Sequence, residues 1–289
     1  MLLFESPSPQ PRIAIKLPRI AGSTSALEHE AFCLRSLRES ARAPLEGLPN
    51  VLFETDIGGV RAVGLTAFHG VPVFSYLDSW SFRQTSLRVT HWLVALARRR
   101  AVRDINTVTG NLCSDFRERF GAVANPADLR RAEAALARIG PLPVVCEQRD
   151  FSPWNVLATR EGSLAVLDWE SAELNGIPAL DLIYFLTHLT FFLDRAVETG
   201  AYRESYRRSL DPDSPTGRVH HECMERYASA LGIPQEQFHA LRLLTWMLHS
   251  RSEYKRLESE ANGVPTPESL EGSLFYNLWL EELEFVCNR

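Results

Sequence analysis

The sequence predicts an α+β protein of two lobes: a small mostly-β lobe over residues 1–70 and a larger mostly-α lobe over 71–289. Three observations predict it. Up to about His69 the chain reads strand, helix, strand, strand; beyond Gly70 apolar residues recur at helical spacing; and one hairpin interrupts the helices near residues 156–167.

In the first lobe, Ile13-Ala14-Ile15-Lys16-Leu17 reads as a strand, preceded by the proline-rich turn Ser6 to Pro11, with Leu2 to Glu5 as its hairpin partner. After Gly22-Ser23-Thr24-Ser25, the residues Leu27, Ala31, Leu34 and Leu37 form one helical stripe. Val51 to Glu54 and Val60 to Leu65 are two strands around the turn Asp56-Ile57-Gly58-Gly59. In the second lobe, Leu87 to Arg100 is an amphipathic helix with Val89, Trp92, Leu93 and Leu96 on one side, and Arg98-Arg99-Arg100 complement its C-terminal dipole. Ala127 to Ile139 is another helix, with Asp128 in its first turn. Val156 to Ala158, the turn Arg160 to Ser163 and Leu164 to Leu167 make the hairpin. Helices follow at 178–197, 218–231, 235–258 and 273–286, separated by Pro-, Gly- and Ser-rich loops at Asp211 to Gly217 and Asn262 to Gly272.

At 289 residues and 45% hydrophobic, the chain is long enough for one large domain or for two lobes with real cores. A formal net charge of −5 argues against a nucleic-acid partner, whose binding surface would be basic. Five cysteines without a CxxC pair argue for reduced thiols in a cytoplasmic protein rather than a disulfide framework. Met1 to Glu5 lacks the basic start of a secretory leader. Ile177 to Leu193 is the most apolar stretch, but Asp181 and His188 make it a buried helix, so no membrane partner is expected. His220, His221, Glu222, Cys223 and Glu225 crowd together without a diagnostic metal spacing.

The chemistry is concentrated in Glu147-Gln148-Arg149-Asp150-Phe151-Ser152-Pro153-Trp154-Asn155 and Val166-Leu167-Asp168-Trp169-Glu170, which place Asp150, Asn155 and Asp168 in the order D-x4-N-x12-D. Phosphoryl transfer needs a carboxylate to orient a hydroxyl and accept its proton, and an amide oxygen with a second carboxylate to hold magnesium on the phosphates. One loop and the strand after it supply all three.

With a β lobe ahead of a helical lobe, this motif and the following Gly176-x-Pro178-Ala179-Leu180-Asp181-Leu182, the chain resembles the aminoglycoside phosphotransferase/choline kinase family of the protein-kinase-like fold. The resemblance implies ATP and Mg²⁺ as cofactors and a small-molecule substrate bearing a hydroxyl: an aminoglycoside, sugar or amino alcohol. It assigns Asp150 as catalytic base, Asn155 and Asp168 as metal ligands, and Lys16 as the strand lysine on the α- and β-phosphates. It assigns Glu30, or alternatively Glu28, as the partner of that lysine, and backbone groups of Thr66, Ala67 and Phe68 as the hinge that meets adenine. Asp181 is implied to brace the loop, Trp169 to pack in the core and Glu170 to add a further acid.

Two departures from the pattern stand out. Gln148 replaces the usual histidine, while still able to donate and accept hydrogen bonds. Only fifteen residues precede Lys16 and none is glycine, whereas two strands and a phosphate loop need about 15–20 residues. The expectation is an incomplete first lobe, its glycine-rich loop either encoded upstream of Met1 or shed. The alternative to an active kinase is therefore a pseudokinase-like nucleotide-binding or regulatory module with weak or no turnover. A protein kinase is disfavoured, because Asp168 to Asp181 leaves no room for an activation segment. The acceptor is expected between residues 100–140 and the helices after 190, where Glu198, Glu204, Asp211 and Asp213 could attract a cation. Nothing in the sequence fixes the oligomeric state.

Overall fold

The structure, a computed structural model, describes residues 2–4, 10–18, 24–39, 45–98, 106–261 and 265–287. Glu5 to Pro9 of the proline-rich turn, Gly22-Ser23, Arg99-Arg100 and Asn262 to Val264 lie outside the described residues.

Four strands form the first sheet in the order β1-β2-β4-β3, every neighbour antiparallel. They are β1 (Leu2–Phe4), β2 (Pro11–Lys16), β3 (Val51–Ile57) and β4 (Val60–Thr66). The hairpin between β3 and β4 closes on Gly58 and Gly59 alone, both with positive φ (61° and 82°), as a two-residue type I′ turn requires. Strand β3 therefore runs three residues further than Glu54. Helix α1 (Ser25–Glu39) lays Leu27, Ala31, Leu34 and Leu37 against this sheet, as its apolar stripe predicts.

Helix α2 (Ser79–Ala97) begins at Ser79 rather than Leu87, because Asp78 caps it. The Asp78 carboxylate accepts from the Trp80 and Ser81 N–H groups at 3.0 and 2.7 Å, and the Ser81 hydroxyl accepts from the Asp78 N–H at 2.8 Å. Helix α3 (Asn106–Phe120), unforeseen in the sequence, precedes α4 (Pro126–Leu136), which starts on an Asn125 cap. Strands β5 (Gly70–Pro72), β7 (Val156–Thr159) and β8 (Leu164–Val166) form a second sheet in the order β5-β7-β8, and β6 (Val145–Glu147) pairs with β9 (Glu173–Gly176).

The almost wholly buried α5 (Leu180–Leu193) is the hub of the larger part. It stops short of 197 because Arg195 takes a left-handed φ of 58°, and α6 (Ala196–Thr199) follows. Helix α7 (Tyr202–Leu210) was missed, since its buried face is Ser205, Tyr206 and Ser209 rather than an apolar stripe. Then come α8 (Pro215–Leu231), α9 (Phe238–Ala261), α10 (Pro267–Glu271) and α11 (Leu274–Cys287). The expected loop at 262–272 thus holds α10. Among the described residues no helix is long and apolar enough to cross a membrane. One hydrophobic cluster runs from Leu27 and Leu34 of α1 through Trp169 and α5 to Trp279 of α11.

The loop before β3 ties the two parts together. The Gly47 carbonyl accepts from the Val166 N–H at 3.0 Å, and the Trp92 indole donates to the Glu46 carbonyl at 2.8 Å. Gly47 has φ 79°, and a Cβ there would sit 1.8 Å from the Leu164 carbonyl oxygen. Only glycine permits this approach.

Candidate active site

Strand β6 delivers the chain to Gln148, and the irregular stretch 148–155 leads into β7. Arg149 adopts φ 70°, which a non-glycine residue holds only when its surroundings dictate it. They do: the buried Asp181 carboxylate accepts the Gln148 N–H at 2.7 Å and the Arg149 N–H at 2.9 Å. Asp181 is the brace its position implied. Burial, with the field of Glu147, raises its pKa to about 7 against the two N–H groups. The Arg149 guanidinium pairs at 2.8 Å with buried Glu147, which also accepts the Ile177 N–H. A Cβ at Gly176 would fall 2.1 Å from that carboxyl, so glycine is what lets Glu147 lie there.

Gln148 uses both ends of its amide. Its Nε2 donates to the carbonyls of Leu167, at 3.0 Å, and Asp168, while its Oε1 accepts the Asp150 N–H at 2.9 Å. The glutamine thereby ties the Asp150 loop to the segment carrying Asp168. Asn155 donates through Nδ2 to the Asp150 carboxylate and to its carbonyl, each at 2.9 Å. That leaves the Asn155 side-chain oxygen as an acceptor. Burial raises the Asp150 pKa to about 6; the Asn155 amide opposes the rise and the Asp168 charge adds to it.

Lys16, at the end of β2, reaches across to the same place. Its Nζ lies 2.9 Å from the nearer Glu30 oxygen, 2.7 Å from Asp168 Oδ1 and 3.1 Å from Glu170 Oε1. Burial works against the ammonium, but the Glu30 and Asp168 carboxylates prevail and its pKa is raised. Of the two glutamates weighed for this pairing, Glu30 is wholly buried against Lys16 and Glu28 is exposed. Glu30 Oε1 also accepts the Trp169 N–H at 3.0 Å, and His29 meets the Ala172 carbonyl at 2.7 Å. Helix α1 is thus fastened to the segment after Asp168, which itself holds a left-handed φ of 59°. Trp169 is fully buried, its indole donating to the Val166 carbonyl at 3.0 Å.

The structure therefore brings Lys16, Glu30, Asp150, Asn155 and Asp168 into one cluster and adds Glu170 to it. The segment Thr66-Ala67-Phe68 runs from the last residue of β4 toward β5, and two of its three amides are spent. Thr66 N–H donates to the Asn50 carbonyl and Ala67 N–H to the Arg12 carbonyl, each at 3.0 Å. Among the described residues the Phe68 N–H is the donor left over. Glu198, Glu204, Asp211 and Asp213 are exposed, and Glu198 pairs with Arg195. His220 turns inward to the Thr190 hydroxyl at 2.8 Å, while His221 faces Glu225. Among the described residues no group of three or more His, Cys, Asp or Glu could hold a metal.

Sequence reasoning missed an aromatic wall beside Asp150. Trp154, 42% exposed on the Asp150 loop, stands edge-on to His188 at 5.8 Å and to Phe192 at 6.3 Å. Tyr184 stacks on His249 at 4.1 Å, and its hydroxyl pKa is raised by burial and the Asp150 charge. The signal was present: Tyr184, His188 and Phe191 recur at helical spacing on α5.

No family model and no curated protein sequence matches the chain. Solved structures do. A choline/ethanolamine kinase family protein from Mesorhizobium loti superposes with a TM-score of 0.57 at 16% identity, over 95% of this chain and 86% of that one. A thermostable mutant of aminoglycoside phosphotransferase APH(4)-Ia gives 0.57 at 11% identity, over 100% and 95%. An aminoglycoside phosphotransferase from Alicyclobacillus acidocaldarius gives 0.52 at 14%, over 95% and 85%. The chain has the kinase-like fold of these proteins: α+β, with a small β lobe and a larger helical part.

Proposed function

We propose that the protein is an ATP- and Mg²⁺-dependent phosphotransferase that moves the γ-phosphoryl group to a hydroxyl of a small molecule such as an aminoglycoside, sugar or amino alcohol. The observation that carries this reading is the convergence of Lys16, Asp150, Asn155 and Asp168, from three separated segments, on one partly open cluster. Asp150, with its pKa near 6, is ionised at neutral pH yet basic enough to take a proton from the acceptor hydroxyl. Lys16 is the phosphate clamp, held in line by buried Glu30. The Phe68 N–H and the carbonyls of Thr66 to Phe68 meet adenine.

The donor set suits magnesium, because the free oxygen of Asn155 and the Asp168 carboxylate are hard ligands. Bound there, the ion would neutralise charge on the phosphates. Trp154 and the aromatic face of α5 present a wall to the acceptor. The enzyme is read as a kinase of the general 2.7.1 type, acting on a soluble hydroxyl compound in the cytoplasm, with residues 1–70 as the nucleotide lobe and 71–289 carrying the base and acceptor region.

One observation favours a second reading, a nucleotide-binding module without turnover: Asp168 Oδ1, the atom offered to a metal, is 2.7 Å from the Lys16 ammonium. Phosphate transfer from ATP, assayed against aminoglycosides, choline-like amines and sugars with and without Mg²⁺, separates the two. Transfer that needs Mg²⁺ and falls about 10²–10⁴-fold in Asp150→Asn supports the enzyme. Tight MgADP binding with no transfer to any acceptor supports the module, and equal rates in the folded Asp150→Asn protein sink the assignment of the base.

A further inference from the structure

Helix α5 has two working faces. Tyr184 and His188 look toward the Asp150 loop, whereas Ile183, Leu186 and Thr187 line a separate cavity of about 430 Å³ closed by α7, α8, α9 and the end of α11. Its volume falls within the about 300–1,000 Å³ that enclose small organic ligands. Most of its wall is apolar, from Leu210, Met224, Phe238 and Phe285 besides α5. Exposed Pro212, His221, Gln235 and Glu236 border its mouth.

The polar groups gather around Arg242. Buried Glu282 accepts from Arg242 Nε at 2.7 Å, from the Tyr206 hydroxyl at 2.7 Å and, through its shared Oε1, meets His239 Nδ1 at 2.7 Å. The Trp246 indole donates in turn to the Tyr206 oxygen at 2.7 Å. Burial alone would raise the Glu282 pKa, but Arg242 and His239 hold it below the usual carboxylate range, so the ion pair is intact. This network spends only Nε of the arginine. Among the described residues neither terminal guanidinium nitrogen of Arg242 has a protein hydrogen-bond partner, and the side chain is only 18% exposed; His239 Nε2 is buried and orphaned. Arg242, His239 and His220 all line the cavity. So does Gly217, in the first turn of the 17-residue α8, whose dipole presents its positive end there.

We infer that this cavity is a second binding site, for a small amphipathic anion: a carboxylate that takes the two free nitrogens of Arg242 side by side, on an apolar body that fills the space between α5, α8 and α11. A planar fork with two idle donors suits a carboxylate. A neutral ligand would leave those donors unmet, and a cation would face Arg242 directly. Glu225 and Glu236 sit at the rim, where solvent screens them, rather than beside Arg242. The inference is independent of the phosphotransferase reading, since no residue of the Asp150 cluster takes part.

Octanoate is the probe, with octylammonium and 1-octanol as controls of the same chain length, followed by calorimetric titration and thermal shift on the full chain. Octanoate is expected to bind saturably with a stoichiometry of about one and to raise the melting temperature, with at least tenfold weaker binding for both controls. Met224→Trp, which fills the cavity and leaves Arg242 with Glu282, should weaken octanoate at least tenfold while preserving the melting temperature of the free protein. Arg242→Met should also weaken octanoate at least tenfold and lose the preference for the anion, at a cost in stability because it strands buried Glu282; Leu210→Trp stands in if that variant does not fold. Controls that bind as tightly as octanoate, undiminished binding in Met224→Trp, or no saturable binding up to the solubility of octanoate would each overturn the proposal.

Discussion

Asp150 illustrates how one carboxyl would couple stability to the proposed chemistry. Its pKa in the fold is about 6, against 3.8 for the free side chain, and burial is the main cause. The folded state therefore favours the protonated form. The stability this gives is present in full below about pH 3.8 and is lost as pH rises through about 6. Two outcomes follow. Activity should rise with pH through about 6 and then level, as the base form fills, in a profile of kcat/KM. Asp150→Asn should melt above the wild type at pH 8, with the gap closing toward pH 4; a gap that widens in acid would refute the sign. Lys16 works differently, because its partner Glu30 is wholly buried. Lys16→Met leaves that carboxylate with the Trp169 N–H alone and should cost about 1–3 kcal/mol by chemical denaturation. Lys16→Met with Glu30→Leu should recover most of that stability and none of the nucleotide affinity. Asp150, Asn155 and Asp168 were legible because spacing and turn chemistry both report a loop. The third partner of Lys16, the wall around Trp154 and the spent amides of Thr66 and Ala67 were not, since each depends on which distant segment folds alongside.

Elements were legible where a period or a turn announced them. The alternating strands, the Gly58-Gly59 turn and the apolar stripe of α1 fall where the pattern places them. Helix α7 escaped because serines and a tyrosine make its buried face, and the start of α2 escaped because its first turns bury Ser81, Thr85 and Ser86. The junction at Gly47 shows a constraint that no period carries. Gly47 and Gly162 have nearly the same left-handed φ, 79° and 82°, but a Cβ at Gly162 meets nothing within 4 Å while one at Gly47 meets the Leu164 carbonyl. Gly162→Ala should cost about 1–2 kcal/mol, the left-handed backbone alone. Gly47→Ala should cost clearly more, because the loop must leave β8 and give up its bond to Val166. Denaturant titrations of the two variants measure the difference, and equal losses would show that the close approach carries no energy.

At the scale of the whole molecule, the sequence divides into a β part and a helical part, yet the packing does not. A single hydrophobic cluster links α1 and β4 to α2, Trp169 and α11. Several polar ties cross the same boundary, among them Gly47 to Val166, Glu46 to Trp92, His29 to Ala172, and Lys16 with Glu30 to the Asp168 segment. Opening one part would expose apolar surface on the other and strand the buried Glu30 carboxylate, so neither part has a cheap way to unfold first. Calorimetry should accordingly show one transition, with van't Hoff and calorimetric enthalpies equal. The proposed nucleotide site straddles the boundary, which makes this transition its reporter. MgADP at about 100 times its dissociation constant should stabilise the protein by about 2.7 kcal/mol, moving the whole transition upward rather than one shoulder of it. Asp168→Ala should abolish the shift that requires the metal. Two resolved transitions, with nucleotide moving only the first, would mean that the cluster and its ties do not couple the parts, and that the site belongs to the smaller one alone.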